Sequence, residues 1–248
     1  MQALHQHIAK DGFRLRGLGM SRIDGFSDVV FGFALTLIVV SLEVPHTYAE
    51  LHELLLGFLP FLICFVFLVM VWWAHYRYFR RFHLHDPATI VLNSALLFTV
   101  LFYVYPLKFL FTIVSKQFTG GGNEGVFTAA SQIRELVTVY GIGFSAIYLL
   151  FAAMYWNAWR QREHLRLSPL ETTLTANYMW DDFGVACIGI MVCVAAQLFA
   201  PSEATKACYL FFLIGVWKTI HGNIAGKRAR AALARTSAED RAPLPDHH

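Results

Sequence analysis

The alternation of apolar and polar segments divides the chain into six long apolar stretches joined by short polar connections. The stretches occupy residues 23–44, 55–76, 88–114, 136–156, 183–200 and 204–224. An α-helix rises about 1.5 Å per residue, so about 20 apolar residues cross a hydrocarbon core about 30 Å thick. The pattern therefore predicts an all-α membrane protein with six transmembrane helices per chain.

The overall composition supports this membrane class. The 248 residues are 56% hydrophobic and only 15% charged, and the mean hydropathy is +0.49. A typical soluble domain is less apolar and carries more charge. The N-terminal residues lack the continuous apolar core of a cleaved secretory signal, so we expect the first helix to insert uncleaved.

The lysines and arginines predict the orientation of the helices. Sixteen of the 20 lie before the first stretch, after the second, after the fourth, or towards the C-terminus. Basic connections stay on the cytoplasmic side, so we expect both termini in the cytoplasm. The same distribution explains the net charge of +3 without a nucleic-acid partner. We divide the chain into a cytoplasmic arm (1–21), a six-helix transmembrane domain (22–226) and a basic and polar cytoplasmic tail (227–248).

The first helix begins with a polar cluster. Ser21 and Asp24 have the spacing of a capping box, and an acid in the first turn suits the positive end of the helix dipole. Asp28 lies about 9 to 10 Å along the helix axis from the cap. An ionisable side chain at that depth costs on the order of 2.5 to 3.5 kcal/mol in lipid, so we expect Asp28 to face other helices.

Other polar residues lie at a similar depth. The first and third helices start on the side where the second ends, which places Ser27, Asp28, Trp73, His75 and Asn93 near one level. Lipid offers these side chains no hydrogen-bond partner. We therefore expect them to form an inter-helix network, and we interpret Trp72 as part of the interfacial aromatic belt.

Metal-dependent chemistry is an alternative that the sequence supports weakly. His75, His83, His85 and Asp86 lie close together in sequence, but their spacing does not match an H-E-x-x-H motif or a repeated histidine box. Neither a G-x-S-x-G nucleophile motif nor a phosphate-binding glycine loop occurs. The four cysteines lack CxxC spacing and suit buried apolar positions. We expect no metal, no cofactor and no enzymatic activity.

The start of the first helix also resembles a known family. Arg22, Phe26, Ser27 and Asp28 form the pattern R-x-x-x-F-S-D, which an apolar, threonine-containing helix follows. With Trp73-Ala74-His75, Leu92-Asn93 and Pro106, the pattern resembles the transmembrane protein 175 family of endosomal and lysosomal potassium channels and their prokaryotic relatives. The resemblance covers about the first half of the chain. It implies a polar network of Arg22, Phe26, Ser27, Asp28, Trp73, His75 and Asn93.

The resemblance further implies a leak-type, potassium-permeable cation channel with the first helix lining an oligomeric pore. In the family a hydrophobic constriction on this helix, with a nearby threonine, stands where other potassium channels have a TVGYG filter. By offset from the F-S-D motif, the constriction falls on Phe33, with Thr36, Leu37 and Val40 as further pore-lining residues. Positions 33, 37 and 40 share one helical stripe, which could equally face lipid or the core. Phe33 replaces the smaller aliphatic residue usual in the family.

Alternatives remain open at this point. A chain with this pattern could be a non-conducting membrane scaffold, a proton-conducting channel or a His-dependent membrane metalloenzyme. Only one F-S-D motif occurs in the chain, so a central pore requires several copies, and the resemblance favours a homotetramer in the cell membrane of a prokaryote. The expected partners are other copies of the chain, the lipid bilayer and potassium ions as the permeant species.

Overall fold

The computed structural model describes residues 8–9, 11–40, 44–56, 58–118 and 129–239. These residues are mostly helical. The helices, in chain order, are α1 (Arg22–Val40), α2 (Tyr48–Leu56), α3 (Phe58–Phe82), α4 (Pro87–Phe118), α5 (Ala130–Arg160), α6 (Pro169–Leu198), a 3-10 helix (Pro201–Phe212) and α7 (Leu213–Glu239).

Four of the described helical segments are long and apolar enough to cross a membrane. They are Phe61–Phe82, Pro87–Leu107, Ser131–Arg160 and Pro169–Leu198, and they correspond to the second to fifth apolar stretches. The first and sixth stretches lie in other described elements. The described part of α1 has 19 residues and includes three charged side chains, while the last stretch is divided between the 3-10 helix and α7.

Helix α6 begins well before the apolar stretch that predicts it. Ser168 and Glu171 form a capping box: the Glu171 amide donates to the Ser168 hydroxyl at 3.2 Å, and the Ser168 amide donates to the Glu171 carboxylate at 2.9 Å. Pro169 occupies the first turn, where its missing N–H costs nothing. This start places the polar first turns of α6 beside α5 and the N-terminal arm.

Several of the largest fully buried side chains lie where α3 and α5 approach the arm. Tyr78 and Tyr155 pack edge to face with ring centroids 5.3 Å apart, and the Tyr78 hydroxyl donates to the Met154 carbonyl at 3.1 Å. Phe13 of the arm is completely buried and meets Phe82 with ring centroids 5.4 Å apart. The arm is therefore part of the packed structure.

Ion pairs and backbone hydrogen bonds fix the arm. Arg14 and Arg16 both bond the carboxylate of Glu171, at 3.3 and 3.0 Å, and Glu171 is only 1% exposed. The amide of Gly17 donates to the Arg80 carbonyl at 3.1 Å. A Cβ atom at Gly17 would lie 2.6 Å from the Phe79 carbonyl oxygen, so only glycine allows this close approach. The arm leads directly from these contacts into α1.

Candidate functional site

The start of α1 is capped as its sequence predicts. The Asp24 amide donates to the Ser21 hydroxyl at 3.2 Å, and the Ser21 amide donates to the Asp24 carboxylate at 3.0 Å. A cavity of about 200 Å³ lies beside this cap, between the arm, α1 and α3, and Asp24, Asp28, His75 and Arg80 contribute to its lining. The helix therefore begins with two carboxylates beside a small cavity.

A buried hydrogen-bond chain joins α1, α3 and α4. The Asn93 amide nitrogen donates to the Ser27 hydroxyl at 3.0 Å, and the Ser27 hydroxyl donates to the Ile23 carbonyl at 2.8 Å. The Asn93 carbonyl oxygen lies 2.8 Å from His75 Nε2. Because an amide oxygen only accepts, His75 Nε2 donates in this arrangement. The structure thus brings Ser27, His75 and Asn93 together.

Asp28 bonds a different tryptophan from the one placed in the cluster by the sequence analysis. The Trp72 indole N–H donates to the Asp28 carboxylate at 2.8 Å. Trp73 is 54% exposed and stacks on Tyr76 with ring centroids 5.5 Å apart. Consecutive residues on a helix point about 100° apart, so only one of the two indoles reaches α1. The aromatic-belt interpretation of Trp72 is therefore corrected.

Arg22 and Phe26 lie outside this buried network. Both are exposed, and within the described residues Arg22 makes no ion pair. They occupy the beginning of a stripe that continues along α1 through Val29 and Phe33, following the i, i+4, i+7, i+11 spacing of one helical face. Sequence order alone does not separate this face from the buried one.

The exposed stripe of α1 is apolar. Val29, Phe33 and Leu37 are 55%, 63% and 41% exposed, and Thr36 is exposed beside them. On the other side of the helix, Val30, Phe31, Ala34 and Ile38 are buried against the core. The Thr36 hydroxyl donates to the Phe33 carbonyl at 2.8 Å. Val40 ends the helix, and its side chain lies outside the described residues.

The histidines after α3 do not assemble a metal site in the described parts of the chain. His83 and His85 stack edge to face with ring centroids 4.4 Å apart. Within residues whose placement is described, no group of three or more His, Cys, Asp or Glu side chains is arranged to hold a metal ion. Asp86 instead caps α4 through Thr89 and also accepts from Asn157 of α5.

One polar cluster was not singled out by the sequence analysis. Lys218 of α7 pairs with the Asp181 carboxylate of α6, and His221 Nδ1 lies 3.6 Å from the same carboxylate. The Trp217 indole donates to the Asp181 carbonyl at 3.1 Å. The available signal was the Trp180-Asp181-Asp182 sequence directly before an apolar run, because acids there require partners.

Comparison with known proteins places this site in a family. The sequence model of the family named endosomal/lysosomal potassium channel TMEM175 matches residues 22–103. This range contains the whole hydrogen-bond network that joins α1, α3 and α4. A potassium channel of Marivirga tractuosa is 33% identical over 235 residues, covering 89% of this chain and 94% of the relative. The chain belongs to the TMEM175 family. The resemblance found in the sequence is thereby confirmed.

Other members of the TMEM175 family match over different shares of the chain. A potassium channel of Chamaesiphon minutus is 30% identical over 145 residues, covering 55% of this chain and 64% of that relative. The crystal structure of a variant of the potassium channel MtTMEM175, in complex with a nanobody fusion, superposes with a TM-score of 0.78 at 29% identity, covering 89% of this chain and 99% of the other.

A solved TMEM175 homologue from Chamaesiphon minutus shares the fold, with a TM-score of 0.53 at 22% identity over 81% of this chain and 96% of the other. The TMEM175 relatives are named as channels, and channels are not enzymes. The chain is an integral membrane protein of this family and is not an enzyme.

Proposed function

We propose that this chain forms a leak-type, potassium-permeable channel whose pore is lined by α1 from several copies. One observation carries the proposal: α1 is apolar on two faces, but among the described residues only one of these faces is packed against the rest of the chain. Val30 and Ala34 are buried, whereas Phe33 and Leu37 on the other face are 63% and 41% exposed. The TMEM175 relatives are named potassium channels, which supports potassium as the permeant ion.

The proposed constriction is Phe33, with Leu37 and Val40 on the following turns and Thr36 beside it. Rings of apolar side chains gate a pore by dewetting, and a cation must shed part of its hydration to pass. The sequence contains no TVGYG segment. Selectivity would then depend on the width of the neck and on the few oxygens within reach, including the outward lone pairs of Thr36.

The polar network is proposed to position α1 rather than to bind the ion. Ser27, His75 and Asn93 bond one another in the core and not on the exposed stripe. Arg22 and Phe26 would complete the network at contacts between subunits. Asp24 and Asp28 serve the same purpose, because Asp24 caps α1 and Asp28 accepts a hydrogen bond from Trp72 of α3.

Assembly and topology complete the proposal. One chain supplies one α1, and identical subunits usually assemble with closed symmetry. Because the family resemblance favours four copies, we propose a homotetramer. We also propose six transmembrane segments, with both termini cytoplasmic and the protein in the cell membrane of a prokaryote. The distribution of lysine and arginine supports this orientation. No cofactor enters the mechanism, because the protein only provides a path for the ion.

Flux measurement separates this proposal from the scaffold alternative. Purified protein in liposomes with an outward potassium gradient should release potassium far faster than empty liposomes, with sodium flux lower at equal concentration. Recording the internal pH in the same liposomes distinguishes a proton-conducting channel. Absence of any cation flux from liposomes that contain an assembled protein would favour the scaffold.

Oligomer mass tests the assembly separately. Native mass spectrometry in mild detergent should give mainly a species of four chains, each of 28.1 kDa. A preparation that conducts while it remains mainly monomeric would contradict a central pore built from several α1 helices.

A further inference from the structure

Two apolar grooves flank Trp156 near the end of α5. One lies between α5 and α6 and has a volume of about 410 Å³, with Leu149 and Phe183 in its lining. The other lies between α4 and α5 and has a volume of about 430 Å³, with Val91 in its lining. Ala153 and Trp156 border both grooves. The half-exposed indole of Trp156 therefore separates two neighbouring apolar grooves on the surface.

A positive charge lies at one end of this pair of grooves. Arg160 is the last residue of α5, its side chain is exposed, and its guanidinium lies 5.0 Å from the ring centre of Trp156. It also lines the groove between α4 and α5. Within the described part of the chain, no acidic group pairs with Arg160. The nearby Arg162 differs, because it lies 3.7 Å from the Glu163 carboxylate.

From the membrane boundary inwards, the positive charge comes first and the apolar grooves follow, as the head group and acyl chains do in a phospholipid. Arg160 ends α5 on the side where Pro87 starts α4 and Pro169 starts α6, so it lies at a membrane boundary. Leu149 is about three turns deeper along α5, or about 16 Å. The cation is thus at the level of head groups, and the apolar linings extend into the hydrocarbon. The arginine distribution makes this the cytoplasmic leaflet.

The position in the fold favours lipid over a second copy of the chain. Among the described helices, α1 contacts α3 and α4 but neither α5 nor α6. This step rests on the proposed function: if α1 faces the axis of the oligomer, the α5–α6 side lies towards the periphery. Trp156 and Trp180 are each about half exposed there, as is common for aromatic residues at a bilayer interface.

We propose that this surface binds one two-chain anionic phospholipid of the cytoplasmic leaflet. Its phosphate pairs with Arg160, and its two acyl chains occupy the two grooves on either side of Trp156. Anionic head groups are favoured because Arg160 has no acidic partner in this region and because cytoplasmic leaflets are negatively charged. Arg160 determines the preference for an anionic head group. Ala153 and the groove walls contact the acyl chains and therefore do not distinguish one head-group class from another.

Lipid titration with native mass spectrometry tests the proposal on the full chain, independently of conduction. Phosphatidylglycerol should bind more tightly than phosphatidylcholine with the same acyl chains. Arg160→Gln should weaken phosphatidylglycerol binding about fivefold, which is the contribution of one cationic side chain at an anionic surface. The same variant should leave phosphatidylcholine binding unchanged. Arg162→Gln is the matched control and should change neither affinity, because Arg162 faces Glu163.

A second variant addresses the grooves themselves. Ala153→Phe places a ring at the border of both grooves and should weaken the binding of both phosphatidylglycerol and phosphatidylcholine. In addition, the single-chain lysophosphatidylglycerol should bind the wild-type protein more weakly than two-chain phosphatidylglycerol does. The proposal is overturned if Arg160→Gln leaves phosphatidylglycerol binding unchanged, if Arg162→Gln weakens it equally, or if free glycerol phosphate binds as tightly as the lipid. Disulfide crosslinking of Trp156→Cys between subunits would also overturn it, because the surface would then be a subunit contact.

Discussion

At the scale of single residues, the two adjacent tryptophans of α3 show how much a one-position difference matters in a helix. Trp72 donates its indole hydrogen to Asp28 at 2.8 Å, while Trp73 is 54% exposed. Without that donor, the partly buried carboxylate of Asp28 would lose a charge-assisted hydrogen bond. The stability of the α1–α3 contact should therefore depend on Trp72 and not on Trp73.

Paired substitutions test this difference. Trp72→Phe should lower the free energy of unfolding by about 1.5 to 3 kcal/mol, because it keeps the ring but removes a hydrogen bond to a charged group. Trp73→Phe is the control and should stay within about 0.5 kcal/mol, as surface substitutions usually do. Thermal unfolding of both variants in the same detergent is the measurement. Equal losses would refute the assignment of the Asp28 partner.

At the scale of secondary-structure elements, the N-terminal arm is held by a carboxylate that belongs to α6. Glu171 is 1% exposed and forms ion pairs with both Arg14 and Arg16, whose side chains are 42% and 19% exposed. It also completes the capping box of α6. One buried side chain therefore joins the start of the chain to the fifth apolar segment, and the arm in turn leads into α1.

Glu171→Gln should loosen the arm. The neutral amide cannot compensate two guanidinium groups, and we expect a loss of about 1 to 3 kcal/mol rather than the larger cost of a fully buried pair, because both arginines can reach water. Limited proteolysis with trypsin should cut at Arg14 and Arg16 faster in the variant. Glu163→Gln, which removes a 90% exposed partner of Arg162, is the control. Unchanged cleavage in Glu171→Gln would contradict the proposed anchoring.

The connection from α3 to α4 should give stability a dependence on pH. Burial acts to raise the pKa of Asp86, but hydrogen bonds from Thr89, Gln161 and Asn157 outweigh it, and the pKa lies below its ordinary value. A lowered pKa contributes stability that is present above the unfolded value of about 4 and is lost as the pH falls through the folded value.

Asp86→Asn removes this contribution. The unfolding midpoint of wild type should exceed that of the variant at pH 7, and the difference should shrink as the pH falls below about 4. Asp24 is a matched acid that also caps a helix, so Asp24→Asn shows whether the effect belongs to any capping carboxylate. A difference between wild type and Asp86→Asn that stays constant from pH 7 to pH 3 would contradict the hydrogen-bonded state of Asp86.

The sequence predicted some elements well because their signals are local. Apolar runs revealed the four membrane-length helices, and the spacing of Ser21 and Asp24 revealed the first helix cap. Other features depend on tertiary contacts. The pairing of Asp28 with Trp72 depends on helix rotation, and the arm docks through Glu171, which is far away in sequence. The sixth apolar stretch continues through a change from 3-10 to α-helix that hydropathy does not detect.

In the molecule as a whole, the decisive feature is the face of α1 that the described residues leave exposed. Hydrogen bonds from Trp72 to Asp28 and from Asn93 to Ser27 hold the other side of this helix against α3 and α4. These contacts fix the rotation of α1, so that Phe33 and Leu37 lie on its exposed face. We propose that potassium passes along this face and that its path is narrowest at Phe33.

Potassium and sodium flux through Phe33→Ala channels in liposomes tests this claim most directly. Replacing the ring by a methyl group should widen the neck, increase total cation flux and reduce the preference for potassium over sodium. Phe98→Ala on α4, where the ring is 71% exposed, is the matched control and should leave both quantities unchanged. If Phe33→Ala assembles and conducts with the flux and selectivity of wild type, the constriction lies elsewhere and the pore assignment of α1 is contradicted.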